Sequence, residues 1–260
     1  DPIELGYIVL RANDTPFSRT KVREALSLSV DRKLLNTRVS YNLRNPSNSI
    51  IPSKLRNIDD KFWPKYDPKK ARELLKEEGF CDQRKLNFVL TFRSNVPSDK
   101  ILALTWRSQI KNALSDCISF RLNGLESTSI YKQLSEGIFD AVILDWRGAY
   151  MDPEAYLSPL LSCEESEDNI CFKGESVIGG SFWNNSKIQI KLKESESIYG
   201  ENRLLKLREV EELAAKDIPL IPLWFVRPRA WSQKNISKPE FDERGQLLVN
   251  KIKIISDNNE

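Results

Sequence analysis

Between residues 86 and 146 the chain alternates short apolar runs with longer amphipathic ones, an order that few architectures accept. A strand is predicted over 86–92, then a helix over 98–114 with apolar Ile101, Leu104, Ile110 and Leu114. A strand over 118–122, a helix over 127–136 ending at Gly137, and a strand over 139–146 follow. This β-α-β-α-β order predicts an α/β fold on a mostly parallel sheet with right-handed crossovers. The last strand empties into a loop holding Trp146, Arg147, Ala149, Tyr150, Asp152 and Pro153. Buried strands that end in aromatic and charged residues are where α/β proteins place ligand contacts, so the segment from Asp140 to Pro153 marks a candidate binding site.

The flanking segments read as follows. A first strand covers 3–11 and runs into a turn cluster from Asn13 to Phe17; a helix over 19–30 carries Val22, Leu26, Leu28 and Val30. Asp31 reads as the N-cap of a helix over 32–39, and 41–65 as an irregular loop in which Ile50, Ile51 and Pro52 are buried. The helix after Tyr66 is the clearest: Asp67 caps it, Pro68 suits its first turn, and Gly79 suits its left-handed end. Residues 154–161 read as a helix, and 186–216 as two helices broken near Gly200. Residues 218–226 read as an apolar strand marked by prolines, and 248–255 as a short terminal strand before a polar end.

The chain of 260 residues is long enough for one sizeable α/β domain, or a domain with a piece of another, and 40% hydrophobic residues suffice for its core. A net charge of +3 on 30% charged residues implies neither a nucleic-acid field nor an acidic tail. No apolar run reaches the ~18 residues of a membrane span, and no secretion signal is visible. The chain starts in the manner of a fragment cut within a strand. Histidine is absent, which removes imidazole bases, His-activated nucleophiles and imidazole metal sites together. Asp140 and Asp145, five apart along a strand, face opposite sides and make no acid/base dyad. No phosphate loop, glycine fingerprint or metal-ligand spacing is present, so no enzyme activity and no cofactor is expected.

Among the candidate site residues, Trp146 and Trp183 read equally as ligand walls or as core, and Tyr150 similarly. Arg147 is a candidate for an anionic group; Asp152 reads as a turn or helix cap or as a ligand contact. The cysteines Cys81, Cys117, Cys163 and Cys171 form no CxxC pair. Cys163 and Cys171 bracket a polar loop that a disulfide can close. Cys81 and Cys117 each precede a predicted strand, and parallel neighbours would bring them together. Two disulfides in an oxidising compartment, or four free thiols, both fit.

Four motifs in order then resemble one family. Asn13 to Arg32, with Pro16, Phe17, Val22, Arg23, Ala25, Leu26, Asp31 and Arg32, is similar to a signature of the large periplasmic solute-binding proteins of peptide- and nickel-type ABC transporters (extracellular family 5). The Tyr66 to Phe80 helix, the loop from Trp146 through Tyr150 to Asp152 and Pro153, and Asp217, Pro219, Pro222 and Leu223 match further motifs. The resemblance, over about 13 to 226, implies the C-terminal half of such a protein. It implies a class II periplasmic-binding-protein lobe with helices flanking the sheet and hinge-crossing strands. Residues 1–15 would be a hinge strand, 16–222 the second lobe, and 223–260 the return strand and tail. It further implies capture of a solute, peptide or other, by hinge closure, with transporter permease subunits as partners. The location would be periplasmic or extracytoplasmic, with a lipid anchor on an N-terminal part outside this chain. A sensory or interaction domain that keeps the fold is the alternative. In the family's peptide binders an aspartate before the loop tyrosine pairs with the peptide amine; here that position is Ala149.

Overall fold

The computed structural model describes residues 2–14, 16–56 and 62–255. Asp1, Thr15 of the expected turn, 57–61 of the expected loop and the polar end 256–260 lie outside the described residues.

The central alternation folds as its periodicity implies. Strand β3 (Leu86–Arg93) leads to helix α4 (Pro97–Ala113), β4 (Ile118–Leu125), helix α5 (Ser127–Gln133) with a 3-10 turn, and β5 (Ala141–Arg147). β3 pairs in parallel with β4, Leu86 opposite Ile118, and with β5, Leu90 opposite Ala141. The rest of the sheet departs from the expectation. Strand β1 (Glu4–Leu10) runs antiparallel to β5 and to β8 (Leu220–Val226), and the short β2 (Asn45–Pro46) is antiparallel to β8. The six-stranded order is β2-β8-β1-β5-β3-β4, a mixed sheet in place of a mostly parallel one. Crossover helices enforce parallel pairing only among β3, β4 and β5. β1 stands between β5 and β8 and runs against both, so it alone separates two strands that share a direction.

Local signals set most helix ends. Helix α1 spans Thr20–Leu28, and helix α2 (Arg32–Ser40) starts at Asp31, whose carboxylate accepts from the amides of Lys33 and Leu34. Helix α3 (Pro68–Glu77) starts at Asp67 in the same way, and Gly79 follows at φ 78°. Helices α6 (Glu154–Leu161), α8 (Ser186–Ser195) and α9 (Gly200–Asp217) lie where predicted, the last two parted at 196–199. Ile50, Ile51 and Pro52 are buried. The predicted terminal strand over 248–255 is instead a 3-10 turn, Val249–Lys251, with one isolated bridge between Ile236 and Ile254. Among the described residues no neighbouring strand extends that bridge into a ladder, and Ile254 stays exposed.

Both disulfides form. Cys81–Cys117 ties the starts of β3 and β4, whose parallel register brings the cysteines together. Cys163–Cys171 closes the polar loop around a hairpin of β6 (Glu165–Glu167) and β7 (Ile170–Lys173). Ile110 and Leu114 are buried as expected, but α4 turns a different face inward in its first half. Leu102, Ala103, Trp106 and Ile110 are buried, whereas Ile101 and Leu104 are 43% and 41% exposed. Trp106 selects that stripe by packing against Phe120 at 5.0 Å, which in turn stacks on Phe88 at 4.9 Å. The two arginines of the first motif are structural clamps. Arg23 donates to the carbonyls of Phe17, Asp217 and Ile218, and Arg32 to those of Pro222 and Pro64. Burial pushes both guanidinium groups down to about 10, so each stays charged at neutral pH.

Candidate functional site

Alternation along β5 sends its terminal side chains to opposite faces. Trp146 is half-buried, and its indole N–H donates to the Ala155 carbonyl of α6 at 2.8 Å. Gly148 lets α6 approach closely, since a Cβ there would lie 2.7 Å from the Tyr156 ring. Arg147 is exposed and pairs with Glu4 at 2.6 Å. Ala149 and Tyr150 are exposed. The Tyr150 phenol donates to Glu154, and that bond, with partial burial, pushes its pKa up to about 12. Asp152 accepts from the Glu154 amide at 2.8 Å and pairs with Arg203 at 2.6 Å, joining α6 to α9. Trp146 and Arg147 thus end β5, and Ala149, Tyr150 and Asp152 lie in the loop that follows it. Trp183 does not join them: it is 2% exposed, bridged to Ile170, and part of the core.

A second group of residues, which sequence reading missed, gathers at the same end of the sheet. Arg93 closes β3, Asp145 lies near the end of β5, and Asp99 sits in the first turn of α4. Arg93 donates to both oxygens of Asp99, at 2.7 and 3.3 Å, and meets Asp145 at 2.7 Å. It also donates to the Tyr131 hydroxyl at 3.3 Å. Burial opposes charge on both members of the Arg93–Asp99 pair, and it raises the Asp99 pKa. On Arg93 burial also works against the charge, but Asp99 and Asp145 together outweigh it and hold the guanidinium ionised. Burial, helped by Tyr131 and Asp145, drives the Tyr7 phenol well above its ordinary range.

Beside this network lies a cavity of about 110 Å³, lined by Gly6, Arg44, Arg93, Asp99, Asp145 and Trp224 among others. Gly6 is required there, because a Cβ at position 6 would fall 2.4 Å from the Trp224 indole nitrogen. Arg44 lies over the Trp224 ring, 4.5 Å from its centroid. The usable signals were a glycine inside an apolar strand and a second strand, β3, ending in a charge as β5 does. Asp140 sits at the other end of β5, facing Arg11 and the Val89 amide, so it is apart from Asp145.

A larger cavity of about 240 Å³ lies between the 50–56 loop and α9, lined by Ile51, Leu55, Phe62, Pro153, Leu204 and Leu207. Glu211 at its edge accepts from Ser49 and from the Ile50 and Ile51 amides, so its carboxyl group serves the loop. The smaller cavity holds the convergent charged groups Arg93, Asp99 and Asp145. Cys81, Asp116 and Cys117 cluster, but the disulfide leaves no thiolate to bind a metal.

The chain is similar to known proteins in sequence and in fold. Residues 1–168 match the family model described as bacterial extracellular solute-binding proteins, family 5 middle. The chain is 27% identical over 231 residues to heme-binding protein A of Haemophilus influenzae, covering 85% of this chain and 39% of that protein. It is 23% identical over 225 residues to di/tripeptide-binding protein 1 of Pseudomonas aeruginosa, covering 84% of this chain and 39% of that one. A periplasmic oligopeptide-binding protein of Borrelia burgdorferi superposes with a TM-score of 0.80 at 20% identity, over 97% of this chain and 49% of that chain. The chain therefore spans less than half the length of each of these proteins.

Proposed function

Because the chain belongs to the bacterial extracellular solute-binding proteins of family 5, a family of binding proteins and not enzymes, we propose that it forms the second lobe of an ABC-importer receptor. In this reading a small peptide or peptide-like solute is enclosed between two lobes that close about a hinge. The observation that carries it is the placement of the charged cluster. Arg93 and Asp145 converge at the carboxyl ends of β3 and β5, where pairing switches from parallel to antiparallel. The carboxyl ends of the strands are where open α/β sheets bind ligands.

The path of the chain supports the same reading. β1 begins and β8 ends at this edge, where the Ile3 amide donates to the Val226 carbonyl at 3.1 Å. Two strands passing side by side from one lobe to another make a hinge that bends without unfolding either lobe. Residues 1–15 and 223–260 are the proposed connections, and 16–222 the lobe. Because Leu5–Leu10 and Leu223–Phe225 are buried in this sheet, the crossing falls at the outer strand ends.

Trp146, Arg147, Ala149, Tyr150 and Asp152 form the proposed cleft wall, with Trp146 anchoring the loop and Arg147, Ala149 and Tyr150 facing the solute. Ala149 offers no carboxylate, so a solute amine would need another partner. Permease subunits are the proposed partners and an extracytoplasmic compartment the proposed location. The two disulfides fit an oxidising environment, and among the described residues no helix is long and apolar enough to cross a membrane. A thermal-shift screen of the full-length protein against di- and tripeptides, glutathione, haem and sugars tests the function. At least one class should raise the Tm; a flat response to every solute would overturn the receptor reading.

A further inference from the structure

Arg44 differs from its charged neighbours around the small cavity. Asp99 and Asp145 face Arg93, and Glu4 faces Arg147. Among the described residues the Arg44 guanidinium makes no ion pair or hydrogen bond; it rests on the Trp224 ring. It is nevertheless held in place. The buried Asn36 accepts from the Arg44 amide at 3.1 Å and donates to its carbonyl at 2.9 Å, fixing the backbone. Asn45, the next residue, pairs with Phe225 in the sheet. Trp224 occupies the room that Gly6 leaves, and the guanidinium carbon of Arg44 lies over its ring, 4.5 Å from the centroid.

We infer that Arg44 is the anion-recognising residue of this cavity and selects solutes that carry a carboxylate. The inference rests on the receptor reading and assigns one contact within it. A planar guanidinium stacked on an aromatic ring keeps its N–H edges directed outward, which suits two-point binding of a carboxylate. Arg93 cannot serve in this way, since Asp99 and Asp145 already occupy its donors. The cavity of about 110 Å³ has room for a head group of a few heavy atoms. Burial lowers the Arg44 pKa in spite of the pull of Asp99, Glu4 and Asp145, as expected of a cation whose lost hydration is not replaced. An incoming carboxylate would replace it.

The test uses calorimetric titration of the full-length protein with N-acetylglycine and with N-acetylglycinamide, which differ only in the carboxylate. The acid should bind at least about tenfold more tightly than the amide, and Arg44→Gln should reduce that ratio to near one. Arg44→Lys, which keeps the charge and loses the fork, should retain part of it. Unchanged Tm values for both variants would confirm that folding is intact. Equal binding of the two probes, no binding of either, or a ratio preserved in Arg44→Gln would each overturn the inference. If the solute screen succeeds while the probes are not discriminated, the Arg44 assignment fails and the receptor reading stands.

Discussion

Glu211 shows how far one residue can depart from the role its surroundings in sequence suggest. On an amphipathic helix full of Glu and Lys it reads as a solvated charge, yet it is 1% exposed. One carboxylate oxygen accepts from Ser49 at 2.5 Å, Ile50 at 2.7 Å and Ile51 at 3.2 Å. Burial raises its pKa above the ordinary 4.5, and the hydrogen bonds only partly offset that. The folded state therefore holds this proton more tightly than the unfolded chain. The resulting stability is fully present below the unfolded value and is lost as pH rises through the folded one. Glu211→Gln keeps a carbonyl acceptor and removes the charge. Its Tm, followed from about pH 4 to about pH 8, should fall less with rising pH than that of the parent and should exceed it at the upper end. A parallel pair of curves would refute this account. The capping residues Asp31 and Asp67, by contrast, were legible, because a cap acts on amides two and three residues away.

At the scale of the element, helix α4 makes the same point about its face. Residues 101–104 are Ile, Leu, Ala and Leu, so local periodicity leaves the inward stripe ambiguous. Packing of Trp106 against Phe88 and Phe120 resolves it, turning Leu102 in and Ile101 out. Leu102→Ala should therefore cost about 2–5 kcal/mol, and Ile101→Ala about 0.5 kcal/mol or less. Urea unfolding of the two variants distinguishes the faces; similar costs would mean that the stripe is assigned wrongly. The same inward turn carries Asp99 to Arg93, so the helix register also assembles the polar cluster.

Across the whole molecule, the two disulfides constrain the unfolded chain unequally. Cys81–Cys117 spans 36 residues and Cys163–Cys171 spans 8. Loop-closure entropy then gives roughly 4 kcal/mol for the first and roughly 2.5 kcal/mol for the second. Cys81→Ser with Cys117→Ser should shift the urea midpoint further than Cys163→Ser with Cys171→Ser, and the reverse order would contradict the estimate. The first bridge also links two adjacent parallel strands of the βαβ unit, so its loss should loosen the sheet edge formed by β4.

Helix positions, caps, the βαβ run and the loop after β5 were legible in the sequence, because each depends on residues close together along the chain. The cysteine placement was legible only on condition that β3 and β4 run parallel, and they do. The antiparallel insertion of β1 between β5 and β8 was not legible, since pairing between distant strands follows from which faces can be buried together. Nor was the cluster of Arg44, Arg93, Asp99, Asp145 and Trp224. Its members lie as far as 180 positions apart, between Arg44 and Trp224, and meet only once the sheet's register brings the ends of β3, β5 and β8 to one edge. Sequence determined the elements and the family because near-neighbour chemistry sets both. Only tertiary structure decided which charges are paired and that, among the described residues, the Arg44 guanidinium rests on Trp224 without an ion pair.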